Sequence, residues 1–292
     1  MSGKQNLYHE SLFRYGVGMK AARMLVDAFQ KLILLFAGNP LSIKVYEWIL
    51  KGQIRKGEIP SHIAVILDGN RRWARHKNLF PTNGHVEGAK KAEEFFEWCK
   101  EIGGIKTVTL YVFSTENFRR PQEEVNRLMV LIKEYLERMA VDKRIHENRV
   151  KVKVIGRVDL LPPEVREAVR KVEEATKNYD DYYLNLAIAY GGRAEILDAL
   201  RKIAEEVKAG RLNPEGINEE IFEKFLYTSF LPNPHPDLII RTSGEERLSN
   251  FLLWQSAYSE LCFLDVYWPS FSRKDLYRAI RIYQQRKRRF GA

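Results

Sequence analysis

Cysteine is almost absent: Cys99 and Cys262 are the only two in 292 residues. Two thiols cannot build a disulfide framework or a four-cysteine zinc site, and both sit among apolar neighbours, as small core residues do. Long apolar runs are missing too. Leu32 to Ala37, the longest near the start, falls far short of the roughly 20 residues that span a bilayer. No apolar segment follows a basic start as in a secretory signal, so the expected location is the cytoplasm. There is no internal repeat and no low-complexity linker. Several chemistries lack their signatures: no G-x-x-x-x-G-K-[ST] for a P-loop, no G-x-G-x-x-G after the first apolar strand, no H-E-x-x-H and no Ser/His/Asp set.

The chain is 45% hydrophobic and 29% charged, enough apolar matter to fold, and carries a net charge of +10. The excess is not spread evenly. Residues 1–58 hold nine Lys/Arg against four Asp/Glu, and residues 281–292 hold five Lys/Arg with no acid. Each end carries +5 and the body between them is neutral. An all-over basic coat for nucleic acid is thereby excluded.

Hydrophobic periodicity predicts helices over 18–36 and 41–50, both amphipathic and basic. They suit helices packed on the domain or, alternatively, a lid or a membrane-surface segment. From residue 62 the pattern alternates: strands over 62–67, 107–113, 150–155, 182–190, 238–241 and 260–264, with helices over 86–102, 121–145, 162–177, 193–209, 218–227 and 272–289. Alternating strands and helices mean βαβ units and a mainly parallel α/β sheet. Arg55 to Pro60 marks a boundary: 1–58 reads as a helical extension and 59–292 as the α/β domain.

Ligands of such sheets bind beyond the carboxyl ends of the strands, and three polar clusters fall there. After strand one comes Asp68-Gly69-Asn70-Arg71-Arg72-Trp73. An acid for a divalent cation, a glycine for close approach and paired arginines suit a phosphate group. After strand two comes Ser114-Thr115-Glu116-Asn117-Phe118-Arg119-Arg120, readable as helix caps or as an anion site. After strand five, Arg241, Arg247 and Ser249 make a second anion pocket, with Glu260 as a possible second metal ligand. His85, near a helix start, suits a phosphate contact or an ordinary cap. Two anion pockets on one sheet edge fit two phosphorylated substrates.

Asp68 to Ala74, Gly84-His85, Phe113 to Pro121, Tyr190 to Arg193, Arg241 to Gln255 and Arg289-Phe290-Gly291 together resemble the cis-prenyltransferases, the undecaprenyl and dehydrodolichyl diphosphate synthases. The resemblance runs in order from about residue 60 to the end. It implies a six-stranded, mainly parallel sheet whose helices enclose a hydrophobic tunnel. It implies repeated Mg²⁺-dependent cis condensation of isopentenyl diphosphate onto an allylic diphosphate, farnesyl or geranylgeranyl, giving a glycosyl carrier lipid precursor. By the same resemblance Asp68 organises Mg²⁺ and diphosphate. Gly69, Asn70, Arg71, Arg72, Trp73 and His85 line the allylic site, and Ser114, Thr115, Glu116, Phe118 and Arg120 contact substrate. Asn117 stands at the family's proton-acceptor position, although an amide is a poor base. Arg241, Arg247, Leu248 and Ser249 would hold isopentenyl diphosphate, and Glu260 would ligate Mg²⁺. Arg289 and Gly291 fall in the R-x-G motif that in this family reaches into the partner's site, implying a homodimer.

Four positions depart from the pattern. Pro81 stands where the family has an arginine, leaving Arg71, Arg75 or Lys77 to replace it. Arg71 and Phe118 stand where bacterial members have Gly and Trp, which points to the archaeal and eukaryotic branch. Glu246 stands where bacterial members have a metal-binding His, and its carboxylate could still ligate Mg²⁺. The competing readings are a trans-type synthase, whose D-D-x-x-D Asp180-Asp181-Tyr182 fails to supply; a non-catalytic partner subunit, which should lack the Asp68 motif; and nucleic-acid binding through Arg281 to Arg289.

Overall fold

The computed structural model describes residues 40–286. The helix expected over 18–36, and Arg289, Phe290 and Gly291, lie outside the described residues. The chain divides into two units between Gly52 and Gln53. That division falls inside α1 (Pro40–Ile54), a helix with exposed Val45, Trp48 and Ile49.

The second unit is built on six strands: β1 (His62–Ile66), β2 (Thr107–Ser114), β3 (Val150–Ile155), β4 (Tyr182–Tyr190), β5 (Leu238–Arg241) and β6 (Glu260–Phe263), ordered β3-β4-β2-β1-β5-β6. Every pairing is parallel, with Ile66 opposite Tyr111 on one side and Arg241 on the other. Central β1 reads His-Ile-Ala-Val-Ile and is buried at all five positions, as a strand covered on both faces must be. His62 is tolerated there because its ring meets the Asn233 carbonyl at 3.0 Å and the Thr109 hydroxyl at 2.8 Å. Both thiols are buried, and burial pushes Cys262 up to about 11.

The helices that matter for the site are α2 (Asn70–His76), α3 (Pro81–Ile102) and α4 (Gln122–Met139). In α4, Val125, Leu128, Met129, Ile132 and Leu136 recur at helical spacing and are buried. The single helix expected over 121–145 is in fact two. After Met139 the chain turns, and the Asp142 carboxylate accepts the Arg144 N–H at 2.8 Å, starting α5 (Lys143–Glu147). An aspartate inside an amphipathic run competes as a new N-cap, which periodicity alone does not register. Likewise the helix expected over 218–227 stops at Glu223 as α8 (Glu219–Glu223), following α6 (Pro163–Thr176) and α7 (Gly192–Lys208). The closing helix is α9 (Arg273–Gln285).

Candidate active site

Asp68 leaves β1 at the carboxyl edge of the sheet. Its main chain is pinned twice by Thr242, whose hydroxyl takes the Asp68 N–H at 3.0 Å and donates to the Asp68 carbonyl at 2.7 Å. Its carboxylate accepts the Gly69 N–H at 2.6 Å, Arg72 Nη2 at 3.3 Å and Arg241 Nη2 at 3.0 Å. Burial works to raise this carboxyl, but the hydrogen bonds of Arg241 and Ser243 and the charges of Arg241 and Arg72 outweigh it. The group therefore sits below the usual carboxylate range and is ionised at neutral pH. Gly69, at φ +99°, makes the turn from strand to helix, and a Cβ there would strike the Tyr267 ring at 2.6 Å.

The first cluster, expected as a loop, folds from Asn70 onward as α2. Two glycines of α3 receive it. A Cβ on Gly84 would lie 2.0 Å from the Asn70 carbonyl, and one on Gly88 would lie 2.4 Å from Asn70 Oδ1. Asn70 donates to the Leu67 carbonyl at 3.0 Å, while its buried Oδ1 has no partner. Arg71 Nε, His85 Nε2 and Arg241 Nε are also buried without a hydrogen bond. Unpaired polar atoms gathered at one place mark a site awaiting a polar ligand.

Glu124 sets the charge balance there. It lies 3.1 Å from Arg120, 3.6 Å from Arg71 and 3.6 Å from His85. His85 is lowered to about 4, first by burial and then by the Arg120 charge, so it is neutral at pH 7. Asp68, Gly69, Asn70, Arg71, Arg72, Arg75, His85 and Arg120 line one polar pocket of about 650 Å³, open mouth included. Arg75 belongs to it; Lys77, the other candidate replacement for the arginine missing at Pro81, closes α2 and is not on its wall.

The β2 and β5 loops border this pocket. Ser114 and Asn117 form a reciprocal cap in which Asn117 Oδ1 accepts the Ser114 N–H at 3.0 Å. Thr115 donates to Glu116 at 3.2 Å, and Glu116 accepts Asn250 Nδ2 at 2.9 Å. Phe118 packs edge-on against Phe113, centroids 4.9 Å apart. Arg241 reaches the Arg247 carbonyl and, at 2.8 Å, Ser249 Oγ. Arg247 is exposed and pairs with Glu245 at 2.5 Å, while half-buried Leu248 packs on the core. This loop holds four non-glycine residues at positive φ: Ser243, Ser249, Asn250 and Leu252.

Three expected residues stand apart. Trp73 is half-buried and lines neither this pocket nor the apolar cavity described below. Glu246 is exposed. Glu260 opens β6 opposite Leu238, itself level with Ile63, and pairs with Arg286 at 3.1 Å. At about 3.3 Å per residue that places it roughly 10 Å along the strands from Ile66, where β1 ends, at the other edge of the sheet. Glu260 begins β6, as the strand expected over 260–264 has it, and the first residue of a parallel strand lies away from the carboxyl edge. Among the described residues no three His, Cys, Asp or Glu gather as a metal centre. Asp68 is the acid on the polar pocket's wall, so a divalent cation there would take its remaining ligands from a phosphorylated substrate and water, as Mg²⁺ does.

Sequence reasoning passed over Glu124, Glu245, Ser243 and Thr242. Glu124 follows Arg120 by four residues, which is a legible ion-pair spacing. Glu245, 3.2 Å from Arg72, and Ser243, which accepts Arg72 Nη2 at 2.6 Å, lie inside the third cluster itself.

Behind the polar pocket an apolar cavity runs between α3, α4 and the sheet. It encloses about 1180 Å³, counting its openings, and is walled by Ala89, Ala92, Phe96, Leu131, Ile132, Leu186 and others. Leu67, Asn70 and His85 line both spaces, so the two lie back to back against a common wall. An anion-binding head joined to a long apolar chamber defines a class of protein that handles amphiphiles, each with a charged end and a hydrocarbon tail.

Residues 66–291 match the family described as "Putative undecaprenyl diphosphate synthase". The chain is 52% identical over 269 residues to the geranylgeranyl-diphosphate-specific tritrans,polycis-undecaprenyl-diphosphate synthase of Methanocaldococcus jannaschii, covering 92% of this chain and 94% of that protein. It is 55% identical over 248 residues to the Methanopyrus kandleri protein of the same name, covering 85% and 90%. In structure it is similar to lavandulyl diphosphate synthase of Lavandula x intermedia in complex with dimethylallyl diphosphate, with a TM-score of 0.76, 34% identity, and coverage of 80% of this chain and 99% of that one. The chain belongs to the cis-prenyltransferases, the undecaprenyl diphosphate synthase family.

Proposed function

We propose that this protein is a cis-polyprenyl diphosphate synthase that adds isopentenyl units to an allylic diphosphate. The observation that carries the proposal is the shared wall of Leu67, Asn70 and His85 between an arginine-lined pocket and an apolar tunnel. Geranylgeranyl diphosphate is the preferred starter, a choice supported by the names of the archaeal relatives. The product is a long-chain polyprenyl diphosphate, precursor of a glycosyl carrier lipid.

In each cycle the bond from the allylic carbon to its diphosphate breaks. C4 of isopentenyl diphosphate bonds to that carbon, and C2 gives its proton to a phosphate oxygen of the bound diphosphates. Arg71, Arg72, Arg75 and Arg120 hold the diphosphate and stabilise the charge it gains on leaving. Neutral His85 contributes a hydrogen bond rather than a charge. Arg247, exposed and free to turn from Glu245, and Ser249 hold isopentenyl diphosphate with Arg241 and the backbone at Leu248. Bound Mg²⁺ would supply Lewis-acid stabilisation of phosphate oxygens. We assign Asp68, with its ionised carboxylate on the pocket wall, to hold it. Asn117 Oδ1 already takes a backbone N–H, so we assign it positioning of the β2 loop. The tunnel keeps water from the electron-poor allylic carbon.

We further propose a homodimer in which Arg289 and Gly291 complete the partner's site. Exposed Val45, Trp48 and Ile49 beside Lys44 and Lys51 on α1 favour peripheral contact with an anionic membrane. Liposome pelleting of Trp48→Ser against the parent tests this; equal pelleting rejects it. No helix of the described residues is long and apolar enough to cross a membrane.

The decisive experiment offers labelled isopentenyl diphosphate with farnesyl or geranylgeranyl diphosphate and Mg²⁺, and weighs the products. Long polyprenyl diphosphates with geranylgeranyl favoured are expected; no elongation of either starter overturns the reading.

A further inference from the structure

The wall of the apolar cavity is not apolar throughout. Beyond His85 at the polar mouth, its charged residues are Glu93, Glu97, Arg138, Asp142 and Arg144. Along α3, Glu93 lies eight residues past His85, about 12 Å at 1.5 Å per residue. Arg138 is in the last turn of α4, and Asp142 and Arg144 form the elbow that begins α5. All five therefore belong to the end of the tunnel farthest from the diphosphate pocket.

They are joined. The two Glu93 carboxylate oxygens reach Arg138 at 2.8 Å and Arg144 at 3.2 Å, bridging α3 to the α4–α5 elbow. Arg144 is held in turn by Asp142 at 2.6 Å, and Arg138 lies over the Tyr135 ring at 4.6 Å. Glu93 is 26% exposed and the two arginines about half exposed. The ion pairs thus sit at the boundary between tunnel and solvent.

We propose that Glu93, with Arg138 and Arg144, is an ion-pair latch that closes the far end of the tunnel and sets the length of the product. A hydrocarbon end arriving there meets charges it cannot solvate. It would have to strip water from the carboxylate and guanidinium groups or part them. Elongation therefore slows when the chain fills the space short of Glu93. Half-exposed pairs are individually weak and screened by salt, so the closure is adjustable rather than a rigid floor.

The inference rests on the proposed synthase activity, and the test separates the two. Product lengths are measured by mass spectrometry from one starter for the parent, Glu93→Gln, Arg138→Gln and the charge-exchanged Glu93→Arg/Arg138→Glu, which leaves Arg144 paired with Asp142. The glutamine variants should shift the main product upward by at least one five-carbon unit. KM for both diphosphates should stay within about twofold, because the latch lies roughly 12 Å from their pocket. The charge-exchanged protein should return toward the parent length, and the parent itself should make longer products at 1 M than at 0.1 M salt, since screening tightens about threefold. Lower melting temperatures with unchanged product lengths would make the pairs merely structural and overturn the latch. The salt series needs no mutation, so misfolding of a variant leaves the latch testable. A parent that elongates neither starter would overturn the activity instead.

Discussion

Arg241 Nη2 lies 3.0 Å from Asp68 Oδ2, and the arginine that makes this contact is only 5% exposed. One buried cation thus joins the end of β1 to the loop after β5, and with it the two proposed substrate sites. Removing the charge with Arg241→Gln takes away the Arg241 hydrogen bond and charge that hold Asp68 low, leaving burial opposed by Ser243 and Arg72. The acid limb of the kcat/KM pH profile should then move up by about 1–3 pH units, the usual effect of losing a contact cation. An unmoved limb would mean that Asp68 does not govern it.

Asp68→Ala should abolish incorporation of isopentenyl diphosphate while circular dichroism and the melting curve stay close to the parent's. The carboxylate accepts three hydrogen bonds but lies at the surface of the pocket, so the fold should survive. Near-parental turnover would remove Asp68 from the mechanism.

Gly84→Ala puts a methyl group 2.0 Å from the Asn70 carbonyl, a backbone atom that has nowhere to go. Overpacking of this kind costs about 1–3 kcal/mol. A domain of this size should lose several degrees of melting temperature, at about 2–4 °C per kcal/mol, and the displaced α2 should raise KM for the allylic substrate. Calorimetry and steady-state kinetics check both.

His62 is fully buried and lowered to about 4, chiefly by burial, and His85 is lowered likewise. An unfolded histidine titrates near 6.5. Between those values the unfolded chain binds more protons, so stability falls as pH drops from about 6.5 to 4. For His62 the loss is on the order of 3 kcal/mol at 1.36 kcal/mol per pH unit. Urea melts of His62→Gln should have a weaker pH slope in this window; an identical slope contradicts the assignment.

Arg289→Ala should lower turnover while sedimentation still reports a dimer. An unchanged rate would exclude the terminal arm from the partner's site.

The sheet was legible because its strands are short apolar runs bounded by glycine, proline and polar clusters: 150–155, 182–190 and 238–241 agree with the structure to the residue. The Asp68 cluster was legible as a phosphate site because acid, glycine and paired arginines occur together at a strand end. What the sequence hid was pairing across long separations. Glu124 is unremarkable in its helix until α2 and α3 bring Arg71 and His85 beside it. Asp142 looks like a solvated residue of a continuous helix until its cap to Arg144 breaks that helix. Glu260 is the exception: the strand expected over 260–264 already begins with it, and only its nearness to the Arg241 motif suggests the site.

The left-handed backbone at Ser243, Ser249, Asn250 and Leu252 carries a consequence for binding. Each such non-glycine conformation costs about 1–3 kcal/mol and persists only where surrounding contacts insist on it. Here the insistence comes from Arg241 on Ser249, Asn250 on Glu116 and the Arg193 N–H, and buried Phe251 and Leu252. These contacts, all within the chain, hold the loop in its distorted shape. Substrate capture therefore requires little further ordering of this segment, and its entropy loss falls on side chains such as Arg247 rather than on the backbone.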